Sequence, residues 1–127
     1  MPRMLIFVGT RAALEKYDMA GVPIMTRQLQ SQFIETLKTF IANPNGQLVL
    51  TTLFVTGYRV PSDTFIVFDE SWPYDRDHPN TIQAKGRVRR SIMEPDWLTE
   101  LGFSEDEIKD IDDKARTNLR NMRFDGD

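Results

Sequence analysis

The chain has 127 residues, 40% of them hydrophobic and 28% charged, with a net charge of −3, one histidine and no cysteine. This is the composition of one soluble globular domain able to bury a core without disulfides; it excludes thiolate metal sites and, with His78 alone, any histidine-based metal cluster. The acidic balance also excludes a protein held to nucleic acid by bulk charge, because neutralising phosphates takes clustered lysine and arginine, so any such contact has to be local.

Met4 to Val8 is a short apolar run between Pro2 and Gly9, the pattern of a strand buried on both faces of a parallel sheet. It is too short for a secretory signal and lacks a cleavage site. No other run approaches the ~20 residues of a membrane span, so a cytoplasmic, intracellular setting without a membrane partner is expected. Thr10 is placed to cap a helix from Arg11 to about Asp18. Gly21 precedes Val22-Pro23-Ile24-Met25, a short strand that Pro23 assigns to a sheet edge. Between Arg27 and Ala42, the residues Leu29, Phe33, Leu37, Phe40 and Ile41 recur at helical spacing until Asn43-Pro44-Asn45-Gly46 stops the helix. Leu48 to Thr51 reads as a strand and Phe65 to Phe68 as a buried one, separated by an irregular loop with Gly57 and Pro61. Strands alternating with helices predict an α/β fold with a parallel sheet and right-handed crossovers.

Pro79 suits the first turn of a helix reaching about Ile92, since its missing N–H has no partner there in any case. On such a helix Gln83, Arg87 and Arg90 fall within an arc of roughly 60°. Ala84 and Val88 lie on another face, suited to packing on the sheet, and Gly86 would allow a backbone or ligand to approach closely. Two guanidinium groups on one edge suit a phosphoryl group that develops negative charge; a solvated basic face has the same spacing and stands as the alternative. Trp97, Leu98, Leu101 and Phe103 then form a short helical segment closed by Gly102. Ser104 and Glu107 form a capping box, with Phe103 stapled on Ile108, and Ile108, Ile111, Ala115, Leu119 and Met122 make one apolar stripe. That stripe is expected to pack on its own domain, docking on another chain being the alternative. The expected organisation is a core over 1–92 and a helical extension over 93–127 packed on it.

Gln83-Ala84-Lys85-Gly86-Arg87-Val88-Arg89-Arg90 resembles the Gln-x-x-Gly-Arg-x-x-Arg motif VI of superfamily-2 helicases at every defining position. Leu5-Ile6-Phe7-Val8-Gly9-Thr10-Arg11 resembles motif IV, and Thr51-Thr52 through Gly57 to Pro61 resembles motif V, in the expected order. The resemblance implies a three-layer RecA-like domain of the helicase C-terminal type, with extra C-terminal helices. It implies that Arg87 and Arg90 reach ATP phosphates held by a first RecA-like domain, with Gln83 in the same network and Gly57, Arg59 and Gly86 near the nucleotide. It also implies that Gly9, Thr10, Arg11, Thr51 and Thr52 lie along the nucleic-acid backbone, where small hydroxyl residues and exposed amides bind phosphate without a large positive charge. Arg59 departs from the family, many members of which carry an acidic residue there, and the acidic tail after motif VI owes nothing to the resemblance.

A phosphate-binding loop needs Gly-x-x-x-x-Gly-Lys before Ser or Thr, and the sequence contains no Gly-Lys pair. The chain is therefore expected not to be an ATPase by itself, and to meet ATP and Mg²⁺ only beside a partner first domain, with single-stranded or duplex nucleic acid bound weakly. The alternative is a non-catalytic helicase mimic that occupies another helicase or its nucleic acid. Asp69-Glu70 imitates a magnesium-holding pair but is expected to be loop-entry carboxylates, and His78 a solvated loop residue. Trp72 and Tyr74 are expected to pack over the sheet edge, with stacking on a base as the alternative.

Overall fold

The computed structural model describes residues 3–26, 31–43, 45–50, 60–61, 63–86 and 97–126. The fold is α/β, with a sheet of four parallel strands, β1 (Met4–Phe7), β2 (Ile24–Met25), β3 (Gln47–Leu50) and β4 (Phe65–Phe68), in the order β2-β3-β1-β4. Because β1 is central, its alternating side chains feed two separate cores. Leu5 and Phe7 join one and Ile6 and Val8 the other, and none of the four is more than 3% exposed.

Helix α1 (Arg11–Met19) covers the Ile6 face with Ala13 and Leu14. Thr10 caps it as expected, its hydroxyl accepting from the Ala13 N–H at 3.2 Å. The turn after it uses Gly21 at φ +84°, a left-handed conformation that favours glycine. Pro23 explains why β2 is an edge: only its carbonyl is needed, accepting from the Val49 N–H at 3.0 Å.

The opposite face is covered by α2 (Phe33–Ala42), through Phe33, Leu37, Phe40 and Ile41. The regular helix begins later than the periodicity predicts, after a single 3₁₀ turn at 31–32; Leu29 lies outside the described residues. Helices α3 (Pro79–Lys85), α4 (Trp97–Glu100) and α5 (Glu105–Gly126) complete this layer, with Ala84, Leu98, Phe103, Ile108 and Ile111 in the same core as the sheet. Burying Leu98 and Phe103 stabilises by about 1.5–3 kcal/mol each. Gly102, at φ +96°, turns the chain into α5. There the capping box is made: the Glu107 N–H donates to Ser104 Oγ at 3.2 Å and the Ser104 N–H donates to the Glu107 carboxylate at 2.9 Å. The stripe on α5 is buried through Ala115, while Leu119 is 36% exposed; the Met122 side chain lies outside the described set.

One sequence expectation is corrected. Strand β4 is not buried on both faces: Phe65 is 47% exposed and the next three residues are half-buried, because β4 stands at the sheet edge with β1 as its one neighbour among the described strands. Arg3, which hydropathy leaves unremarked, is 1% exposed. Its guanidinium meets Asp63 at 2.7 Å and donates through Nε to the Ile41 carbonyl at 2.9 Å, while the Asn118 amide donates to the second Asp63 oxygen at 2.7 Å. Four segments distant in sequence are tied at this point: the entry to β1, the end of α2, the turn before β4, and α5. Burial pushes the Arg3 guanidinium down from its ordinary value, and the Asp63 charge opposes that shift.

Candidate functional site

Parallel strands deliver their carboxyl ends to one edge, where open α/β sheets form ligand crevices. Phe7 is in register with both Leu50 and Phe68, so the chain leaves β1, β3 and β4 side by side. The loop that follows β4 runs beneath the turn that follows β1. The Gly9 N–H donates to Ser71 Oγ at 3.0 Å. A Cβ on Gly9 would collide with the Ser71 carbonyl and stand 2.6 Å from Pro73 Cδ. Glycine at position 9 is thus required by the approach of a second backbone.

Asp69 anchors that loop. Its carboxylate accepts from the Tyr17 hydroxyl at 2.9 Å and from the Ser71 N–H at 2.9 Å, with Lys16 at 3.7 Å. Hydrogen bonding from Ser71 holds Asp69 below the usual carboxylate range, burial opposing it and Tyr17 and Lys16 assisting. The hydrogen bond that Tyr17 donates to Asp69 pushes the Tyr17 hydroxyl up, since it holds that proton in place. A group whose folded pKa is depressed stabilises above its unfolded pKa and loses that contribution as pH falls through the folded value. Asp69→Asn is therefore expected to be less stable at neutral pH and to have a shallower acid limb. Urea midpoints measured from neutral pH to below the aspartate range check this, and parallel pH curves for the two proteins would refute it.

Farther along, Trp72 donates from Nε1 to Thr81 Oγ1 at 2.9 Å and packs on Phe7 and Phe68, which joins the loop to α3. His78 is not simply solvated: its Nδ1 accepts from the Asn80 N–H at 3.1 Å, capping α3, and its ring stacks on Tyr74 at 4.2 Å.

Of the residues singled out by sequence, Gly9, Thr10 and Arg11 stand at this edge, but not all as expected. The Gly9 amide is committed to Ser71 and so is not an open phosphate donor. Thr10 spends an acceptor on the α1 cap, and Arg11 is 82% exposed beside Glu15 at 3.8 Å. Gln83 is exposed on α3. The described helix closes at Gly86, which adopts an ordinary helical conformation; among the described residues a Cβ there would find its nearest neighbour at 3.4 Å. Arg87, Arg90, Thr51, Thr52, Gly57 and Arg59 lie outside the described residues, as does the remainder of the helix expected to reach Ile92. Sequence reading missed Tyr17 and Ser71. For Ser71 a signal existed, because aspartate commonly accepts from the N–H two residues on.

Gly9→Ala is expected to cost on the order of 1–3 kcal/mol through overpacking against the Ser71 backbone and the Pro73 ring. An unshifted urea midpoint would contradict this.

Fold and edge together define an α/β domain on an all-parallel sheet, with a hydrogen-bonded polar loop where its strands end. No protein family, curated protein or solved structure matches the chain. Among the described residues no helix is long and apolar enough to cross a membrane, and no group of three or more His, Asp or Glu side chains is placed to hold a metal ion.

Proposed function

We propose that this chain is the second RecA-like domain of a superfamily-2 helicase, which completes an ATP site held by a first RecA-like domain and does not hydrolyse ATP by itself. One observation carries the reading: Gln83 to Arg90 matches Gln-x-x-Gly-Arg-x-x-Arg at every defining position, on a segment that begins in α3, the helix reached by the loop after the parallel strand β4. Its placement is supported by register, since the motif IV-like segment begins within β1 and runs into the turn after it, the motif V-like segment follows β3 in sequence, and these two strands are neighbours paired at Phe7↔Leu50. Exposed Gln83 leaves its face of α3 open to a second domain. In this reading Arg87 and Arg90 donate to phosphoryl oxygens as charge develops on them, a task suited to planar donors that stay protonated. The triphosphate cradle and Mg²⁺ belong to the first domain, the sequence here having no Gly-Lys pair.

Nucleic acid in this reading is held locally and weakly. The committed Gly9 amide and the exposed carboxylates Glu70, Asp75 and Asp77 after β4 work against strong phosphate binding. These same groups favour a second reading, a helicase mimic that occupies the first domain of another helicase, or its nucleic acid, without supporting turnover.

The test is ATP turnover by the full chain, alone and mixed with a first RecA-like domain from the same source, with single-stranded nucleic acid present. Turnover only in the mixture is expected. Hydrolysis by the chain alone, or no increase in any mixture, overturns the proposal, and inhibition of an intact helicase would support the mimic.

A further inference from the structure

Below the carboxyl edge, a cleft of about 250 Å³ opens between the β4–α3 loop and α3. Its volume is under the ~300–1,000 Å³ of sites that enclose drug-sized ligands, so it suits one flat ring with a charged substituent.

An aromatic ladder runs from the sheet outward along this cleft. Phe68 lies 5.3 Å from Trp72, Trp72 5.1 Å from Tyr74, and Tyr74 4.2 Å from His78. Tyr74, the outermost ring lining the cleft, is 38% exposed. Rings held by packing on both sides lose little freedom when a further ring stacks on them. The Trp72 N–H is already satisfied by Thr81, so Trp72 offers the cleft its apolar ring.

Charge is distributed unevenly around the rim. The Asp69 carboxylate is spent on Tyr17 and Ser71. Glu70, Arg76 and Lys85 also line the cleft, and none of the three has an ion-pair or hydrogen-bond partner among the described residues. Glu70, Arg76 and Lys85 beside an aromatic wall match a nucleobase carrying an exocyclic amine and a phosphate, the latter held only weakly because exposed Asp75 and Asp77 stand on either side of Arg76 in sequence. The amine donates to Glu70, the ring stacks on Tyr74, and the phosphate meets Arg76 and Lys85.

We infer that this cleft binds one nucleotide unit through its base and phosphate. The inference goes beyond the proposed function, because it needs neither a partner domain nor ATP turnover. The unit can come from a single strand or from a free nucleotide.

The experiment uses the full chain with Trp97→Phe, which leaves Trp72 as the sole indole of the two in the sequence. Short deoxyadenylate and thymidylate oligomers and free AMP are titrated while Trp72 emission is followed. Anisotropy of labelled oligomers with the unsubstituted chain provides a second measurement. Saturable quenching by the adenylate oligomer, tighter than by thymidylate, is expected. Tyr74→Ala should weaken binding about tenfold, and Tyr74→Phe should bind like the parent. Arg76→Ala with Lys85→Ala should lower the salt slope of binding to single strands by about 0.7, the contribution of one phosphate. Preference for the oligomer over AMP assigns the source to a strand, and equal affinity assigns it to the free nucleotide; both support the site. Absence of saturable binding in both measurements, equal quenching by a polyglutamate peptide, or parental affinity in Tyr74→Ala together with the Arg76/Lys85 variant overturns it. Failure of ATP turnover in the mixture described above leaves these readouts unaffected, so the two ideas fail separately.

Discussion

Asp63→Ala is expected to destabilise the fold by about 3–5 kcal/mol, the cost of leaving a buried cation without its counter-charge. Against a total stability of about 5–15 kcal/mol for a domain of ordinary size, that is enough to populate the unfolded chain under mild denaturant. The size follows from geometry: Arg3 is 1% exposed and Asp63 0%, so water cannot replace the 2.7 Å contact. Removing both charges should cost less than removing one. Arg3→Met with Asp63→Leu is expected to recover much of the loss, although the Ile41 carbonyl and the Asn118 amide lose their partners in that variant. Urea unfolding followed by circular dichroism measures all three proteins. An Asp63→Ala midpoint equal to the parent's, or a double variant no more stable than Asp63→Ala, would show that the pair is not what binds these four segments.

In the reconstituted ATPase, Arg87→Ala is expected to lower turnover by a factor on the order of 10³–10⁵, the range spanned by arginine fingers in phosphoryl transfer. This corresponds to about 4–7 kcal/mol of transition-state stabilisation. Arg87→Lys should rescue little, because an ammonium cannot present the planar, forked donors of a guanidinium. Association with the first domain and with nucleic acid should survive in both variants, which separates loss of chemistry from loss of assembly. Unchanged turnover in Arg87→Ala would remove the arginine-finger role.

Gly9 connects the two levels of argument. As part of a motif IV-like run it reads as an open amide near nucleic acid; in the fold that amide is bonded to Ser71, and the missing side chain makes room for the Ser71–Pro73 backbone. A nucleic-acid strand on this edge would therefore meet Arg11 and the loop residues after β4 before it met the Gly9 N–H. Asp69 is a parallel case. Its place after a strand imitates a metal-holding carboxylate, yet both its oxygens are occupied by Tyr17 and Ser71, and its role is to hold the loop.

Local chemistry made much of the fold legible in advance. Thr10 and the Ser104–Glu107 box mark helix starts, Gly102 marks a turn, Pro23 marks a sheet edge, and the apolar run at Met4 to Val8 marks a central parallel strand. Each depends on residues within a few positions of one another, so the information is contained in the segment itself. Arg3, Asp63 and Asn118 carry no such mark, because the value of each depends on partners tens of residues away. Whether Phe65 is covered and whether the Gly9 amide is free were likewise decided by which segments the sheet order brought together. Hydrogen-bond direction and backbone sterics act over a few ångströms of space, and only the closed tertiary fold converts distance along the chain into that proximity.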